Sequence, residues 1–323
     1  MINKKDGLKK LLDRRKPIFK LVCGAGNECA EEVEKLVALY SMAGCQMFDI
    51  SAKEEILEAA KKGLKYSGTM SDRYICVSVG IKGDPHILKA IIDEKKCQQC
   101  GQCDYVCINE AVKNHTVQTE RCLGCGKCVR VCPANAIEMY SVDKDLNLVL
   151  PKLVKGGIDC IEFHATVEDD TEIFEKWESI KKNFDGVLSI CIDRMCLGNK
   201  QVLERIKKLT KEREDFTTII QADGIPMSGS DDSFKTTLQA VALGEIVNDA
   251  KLGVYVFLSG GTNSKTTELA KLCGVKYDGV SVGSYARKIV REYIKRDDFF
   301  DNKIVFEEAL GKAKMLVESV TKS

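Results

Sequence analysis

The sequence predicts an α/β fold, a (β/α)8 barrel of the TIM type interrupted once by a cysteine-rich insertion. Three observations carry this expectation. Eight short β-branched or aromatic runs alternate with segments of helical period, which implies right-handed βαβ units and a parallel sheet. Eight such units are the number that closes a barrel. Setting residues 92–140 aside leaves 274 of the 323 residues, close to the roughly 250 of an ordinary barrel. The same alternation also permits an open doubly wound sheet, which the count of eight disfavours.

In chain order, the first twenty residues carry eight Lys/Arg, two Asp and no apolar core, so they do not read as a signal peptide. Leu8, Leu11, Leu12 and Ile18 predict instead a short amphipathic helix with a solvated basic face, which a partner protein could also dock on. The strand runs are Ile18–Cys23, Met47–Ile50, Tyr74–Val79, Ile158–Phe163, Val187–Ile192, Thr217–Gln221, Val254–Ser259 and Gly279–Val282. Helical patterns cover Ala30–Ala43, Glu54–Lys65, Asp143–Lys155, Asp170–Lys182, Lys200–Glu212, Ser233–Ala250, Ser264–Cys273 and Ala286–Lys295. The insertion then falls between the third strand and its helix. This divides the chain into residues 1–91 (first part of the barrel), 92–140 (insertion) and 141–323 (remainder of the barrel). A βα loop opens on the C-terminal face, where barrel chemistry takes place.

Lys+Arg number 49 against 48 Asp+Glu, a net charge of +1, which argues against a nucleic-acid partner. No apolar run approaches the roughly 18 residues of a membrane helix. Cysteine is the outlier at 16 residues, eight of them within positions 97–132. A disulfide-stapled secreted protein would be small and carry an export signal. A reducing cytoplasm is therefore expected, with thiols free or bound to metal.

The dense block holds two C-x2-C-x2-C-x3-C runs, Cys97, Cys100, Cys103, Cys107 and Cys122, Cys125, Cys128, Cys132, the second followed by Pro133. This is the bacterial two-cluster ferredoxin pattern, in which the fourth cysteine of each run ligates the other cluster. It predicts one [4Fe–4S] cluster on Cys97, Cys100, Cys103 and Cys132, and a second on Cys122, Cys125, Cys128 and Cys107. Gly101, Gly124 and Gly126 supply tight turns that bring backbone N–H groups toward sulfur. Ile108 stands where the first run would carry its proline, which removes no ligand. Zinc ribbons use paired C-x2-C knuckles some 15–20 residues apart and do not match.

On the barrel face, the seventh and eighth strands end in Ser259-Gly260-Gly261-Thr262-Asn263 and Ser281-Val282-Gly283-Ser284-Tyr285-Ala286-Arg287. Loops in these positions commonly bind phosphate through backbone N–H groups. Gly260, Gly261, Thr262, Gly283, Ser284 and Arg287 are therefore candidates for holding flavin mononucleotide or another phosphorylated ligand, with plain turn chemistry as the alternative. Asp223, at the end of the sixth run, is a candidate acid/base group or simply part of an Asp-Gly turn. His164 is the most promising histidine, and Asp49 and Glu162 also end strands. Cys23, Cys191, Cys196 and Cys29 lie where a catalytic thiol or further metal ligand could stand. Cys45, Cys76, Cys160 and Cys273 read as small buried hydrophobes.

With these motifs in place, the chain resembles the LdpA family of iron–sulfur proteins, named for light-dependent period control of a circadian clock. The resemblance is carried by residues 19–25, 44–52, the double cysteine run, 159–164, 221–229, 259–263 and 283–288. It implies bound iron–sulfur clusters and a redox-sensing role, and assigns no catalytic residue. Two functions are expected to compete. One is a redox protein acting in electron transfer or sensing with a redox partner protein. The other is a ferredoxin-linked, flavin-dependent reductase with its active site on the barrel face. A third, in which the clusters merely staple an interaction module, is less favoured.

Overall fold

The computed structural model describes every residue except 1–3, 25, 85–86, 226–230 and 323. Helix α1 (Lys4–Asp13) leads into β1 (Ile18–Val22), α2 (Ala30–Met42), β2 (Met47–Ser51), α3 (Glu54–Ser67) and β3 (Tyr74–Val79). The insertion follows, with β4 (Leu88–Ile92), α4 (Gln102–Val106), β5 (Val112–Lys113), β6 (Thr116–Val117), α5 (Lys127–Val131) and β7 (Ile137–Ser141). The alternation resumes through α6 (Leu146–Lys155), β8 (Cys160–His164), α7 (Asp170–Asn183), β9 (Val187–Ile192), α8 (Asn199–Thr210) and β10 (Thr218–Asp223). It ends with α9 (Phe234–Asp249), β11 (Tyr255–Ser259), α10 (Thr266–Leu272), β12 (Gly279–Val282), α11 (Ser284–Ile294) and α12 (Lys303–Thr321).

Eight strands close a parallel barrel in the order β1-β2-β3-β8-β9-β10-β11-β12, with β12 paired back onto β1. The doubly wound alternative is thereby excluded. All five residues of β2 and β8 are buried, as are all six of β3, β9 and β10. A parallel strand covered on both faces is expected to read as such an unbroken run.

Two features depart from expectation. Helix α1 does not simply lie on the surface. Leu8, Leu11 and Leu12 close the N-terminal end of the barrel against Tyr74, Tyr255 and Phe257, so its apolar stripe is committed to the fold. Leu12→Ala is accordingly expected to cost about 2–5 kcal/mol, read as a lower denaturant midpoint. Helix α12 lies beyond the last expected helix. Its Phe306, Ala309, Ala313, Leu316, Val317 and Val320 are buried, and the Asn302 side chain caps it by accepting from the Val305 N–H at 3.3 Å.

The insertion stands on an antiparallel neck, Leu88–Ile92 against Ile137–Ser141. It has a small core of its own, built around Ala90, Ala111, Val112 and Ile137 with Cys103, Cys122 and Cys128. A buried lysine ties it to the barrel. Lys89 Nζ donates to the carbonyls of Gly26 at 2.7 Å, Thr119 at 2.7 Å and Cys122 at 2.8 Å. The Glu28 N–H adds a bond to the Glu120 carbonyl at 2.7 Å. The second cysteine run is thus held against the loop that follows β1. Among the described residues, no helix is long and apolar enough to cross a membrane.

Candidate functional site

The fold sorts the eight clustered cysteines into two groups. Cys97, Cys100, Cys103 and Cys132 line one small cavity beside Pro133. In the other group, Cys128 is pushed up to about 11, first by burial and then by the neighbouring Cys125, Cys122 and Cys107. Each group joins three cysteines of one run to the fourth of the other. Backbone N–H groups point at sulfur, from Ala111 to Cys107 at 3.2 Å, Ala136 to Cys132 at 3.3 Å, Ala90 to Cys122 at 3.4 Å and Gln99 to Cys97 at 3.4 Å. Such donors favour the thiolate form and tune a bound cluster. Gly101 and Gly126 precede α4 and α5 at φ of 74° and 66°, where a side chain would be strained. Four converging sulfurs with aimed amides fit a cubane iron–sulfur cluster.

A second cavity, of about 340 Å3, opens on the C-terminal face of the barrel. Its floor is charged. Glu162 on β8 accepts from Lys20 on β1, from Ser189 Oγ at 2.9 Å and from Gln221 Nε2 at 2.7 Å. All four side chains are buried. Burial pushes the Glu162 carboxyl up, but the Lys20 charge and His164 outweigh it and hold the group below the usual range. His164 Nδ1 lies 2.9 Å from Asp84 Oδ2, and its Nε2 lies 3.5 Å from Glu162 Oε1. Burial opposes a proton on this ring, yet Asp84 and Glu162 raise its pKa well above the ordinary value. Asp49, bonded to Ser78, is pushed up to about 6, chiefly by burial. Cys191 Sγ lies 3.3 Å from Asp223 Oδ2, and burial followed by the Asp223 charge raises its thiol pKa.

Asp49, Glu162, His164, Cys191 and Asp223 therefore meet in one cavity. The other candidate thiols do not join them. Cys23 is buried and Cys29 half-buried just ahead of α2, while Cys196 is exposed. Cys45, Cys76 and Cys160 are buried as expected, whereas Cys273 is exposed at the end of α10, where its short helix leaves it in solvent.

Gly260, Gly261, Thr262, Gly283, Ser284 and Arg287 all line the same cavity, but three of them are already engaged. Thr262 Oγ1 donates to the Ser281 carbonyl, and Arg287 Nη1 donates to the Cys23 carbonyl at 2.7 Å. Gly260 sits at φ 71°, and a Cβ there would stand 1.7 Å from Asp223 Oδ1. The close approach that requires glycine at this position is therefore to Asp223. Lys288 and Arg291 line the cavity as well and escaped the sequence reading, although Arg291 lies one helical turn beyond Arg287. Lys20 escaped because an isolated lysine in a strand ordinarily reads as solvent-facing. Asp84 follows β3 in a segment without a recognisable motif. Of residues 221–229, positions 226–229 lie outside the described residues, as does Ala25.

The insertion supplies one wall of this cavity through Ile108, Asn109, Leu123 and Cys125. A clustered cysteine and the charged floor of the barrel thus face one space.

Comparison with known proteins agrees with these features. A 4Fe–4S binding domain matches residues 115–138, which contain the second cysteine run, and marks the chain as an iron–sulfur protein. Among solved structures, tryptophan synthase of Mycobacterium tuberculosis superposes with a TM-score of 0.51 at 10% identity, covering 99% of this chain and 98% of that one. The YdjI aldolase of Escherichia coli K12 does so with a TM-score of 0.51 at 9% identity, covering 99% and 98%. At such identities these likenesses speak for the barrel fold alone. Light dependent period A of Synechococcus elongatus is 29% identical over 293 residues, 86% of this chain and 82% of that protein. The Light dependent period A C-terminal domain matches residues 152–321, more than half the chain, and the chain belongs to that family.

Proposed function

We propose that this is an iron–sulfur redox protein that holds two [4Fe–4S] clusters beside a small-molecule cavity, and that it acts on a phosphorylated ligand there as a reductase. The observation that carries the reading is that Cys125 lines the same cavity as Glu162, His164 and Asp223. The ligands would be Cys97, Cys100, Cys103 and Cys132 for one cluster and Cys122, Cys125, Cys128 and Cys107 for the other. Residues 92–140 would form the cluster domain, with 1–91 and 141–323 forming the barrel. When bound, such clusters supply one-electron storage and transfer. The chain's own groups do the rest. The backbone around Gly261, Gly283 and Ser284, with Lys288 and Arg291, would hold an anionic group such as the phosphate of flavin mononucleotide. His164, oriented by Asp84, and Glu162, held by Lys20 and Gln221, would hold protons at the floor.

A second use, electron transfer or redox sensing with a partner protein, is favoured by the outer face of the first run. Cys100 is exposed and Tyr105 is 93% exposed, so this end is open to a docking redox protein. The family resemblance supports a signalling role of that kind. Cysteines kept as thiols or cluster ligands, as proposed here, suit a reducing cytoplasm.

The test is anaerobic reduction of the purified protein in the presence of flavin mononucleotide. Bleaching of the cluster and flavin bands by one electron donor is the expected result. Clusters that cycle while the protein binds no flavin and consumes no small molecule would leave the carrier reading in its place.

A further inference from the structure

Glu162, His164 and Cys191 offer a carboxylate oxygen, an imidazole nitrogen and a thiol sulfur, all within 4.8 Å of one another. Their placement follows from strand register. His164 on β8 is paired with Cys191 on β9, and Glu162 lies two residues before His164 on the same face. All three line the barrel-face cavity, so an ion entering it reaches each of them. The adjoining strand adds a fourth donor atom, Asp223 Oδ2, 3.3 Å from Cys191 Sγ.

We propose that these residues form a mononuclear site for a divalent transition-metal ion of the zinc class, separate from the cysteine-rich insertion. Mixed sulfur, nitrogen and oxygen donors suit borderline-soft ions and are poor hosts for magnesium or calcium. The surroundings are those of a built site. Asp84 Oδ2 lies 2.9 Å from His164 Nδ1, which fixes the ring and leaves Nε2 directed at Glu162, the carboxylate–histidine arrangement that supports metal-binding imidazoles. Lys20, Ser189 and Gln221 hold Glu162 in place. A bound ion takes the place of the protons otherwise carried by the Cys191 thiol and His164 Nε2. The site shares Glu162 and His164 with the cavity floor of the proposed reductase, but its donors are the barrel's own, since neither clusters nor flavin supply one.

The experiment titrates anaerobically prepared full-length protein with Zn2+, removes the excess, and measures Zn, Fe and sulfide per chain, followed by absorption spectroscopy at the Zn edge. The expected result is about one retained Zn, unchanged Fe and sulfide, and one sulfur at about 2.3 Å among nitrogen and oxygen neighbours at about 2.0–2.1 Å. Cys191→Ser should remove the sulfur neighbour while leaving the iron content intact. Asp84→Asn, which keeps every proposed ligand, should weaken Zn2+ binding about 10–100-fold. Absence of retained Zn overturns the proposal. So does Zn in an all-sulfur environment that Cys191→Ser does not alter, because the ion then sits on the insertion's cysteines.

Discussion

Anaerobically isolated protein is expected to contain about eight Fe and eight acid-labile sulfides per chain, the content of two [4Fe–4S] clusters. The grouping of cysteines makes the prediction specific. Cys97 lines the cavity shared with Cys100, Cys103 and Cys132, and Cys122 belongs to the group around Cys128. Cys97→Ser and Cys122→Ser should therefore each remove about half the iron, and from different clusters. The second substitution should have a further effect. Cys122 Sγ accepts from the Ala90 N–H at 3.4 Å, and its carbonyl accepts from Lys89 at 2.8 Å, so loss of this cluster loosens the insertion where it meets the barrel. Cys97, next to the exposed end of the run, is bonded within the insertion, its N–H donating to the Asp93 carbonyl at 3.0 Å and its Sγ accepting from the Gln99 N–H at 3.4 Å. A yield of one or two Zn without sulfide would end the iron–sulfur assignment. Loss of essentially all the iron in either single variant would mean that the two runs share a single cluster.

The fold was legible because barrel strands are covered on both sides. Every strand-forming run is mostly apolar or β-branched, broken only by single polar residues such as Lys20, Asp49, Glu162 and Ser189, and all eight occur as barrel strands. Strand ends moved by one or two residues where the pattern alone cannot locate the last hydrogen bond, as at Ile158–Phe163, observed as Cys160–His164. The iron–sulfur motif of the second cysteine run was legible because ligand spacing is a local property of the chain. The charged floor was only half legible. Asp49, Glu162, His164 and Asp223 stand at strand ends, where barrel chemistry is expected, but Lys20 has no sequence signature. Its burial depends on carboxylates contributed from other strands, an arrangement that exists only after closure. The shared wall is likewise a product of docking. Nothing in the spacing of Cys125 places it opposite Arg291; the Lys89 and Glu28 contacts that dock the insertion on the β1–α2 loop do so.

Replacing both Lys288 and Arg291 by Ala is expected to weaken binding of flavin mononucleotide or inorganic phosphate by about 100-fold or more. Each charge-assisted hydrogen bond contributes about 1.5–3 kcal/mol, and about 1.4 kcal/mol is a factor of ten. These two side chains are suited to the test because both line the cavity and neither is fully buried. Their removal leaves the barrel and the cysteines untouched, so thermal stability and iron content should not change. Gly260→Val should behave differently, although Gly260 lines the same cavity. Its backbone at φ 71° resists a β-branched side chain, and a Cβ would overlap Asp223 Oδ1 at 1.7 Å and approach the Gly224 nitrogen at 2.6 Å. The new side chain must therefore displace the end of β10 before it meets any ligand. The expected outcome is a lower melting temperature, with ligand affinity lost as a consequence. Calorimetric titration and thermal unfolding of both variants separate the two effects. Unchanged affinity in the Lys288/Arg291 variant would remove the anion subsite from this face of the barrel. A Gly260→Val protein that melts like the parent but no longer binds phosphate would instead place the anion directly against Gly260, with Asp223 turned aside to make room.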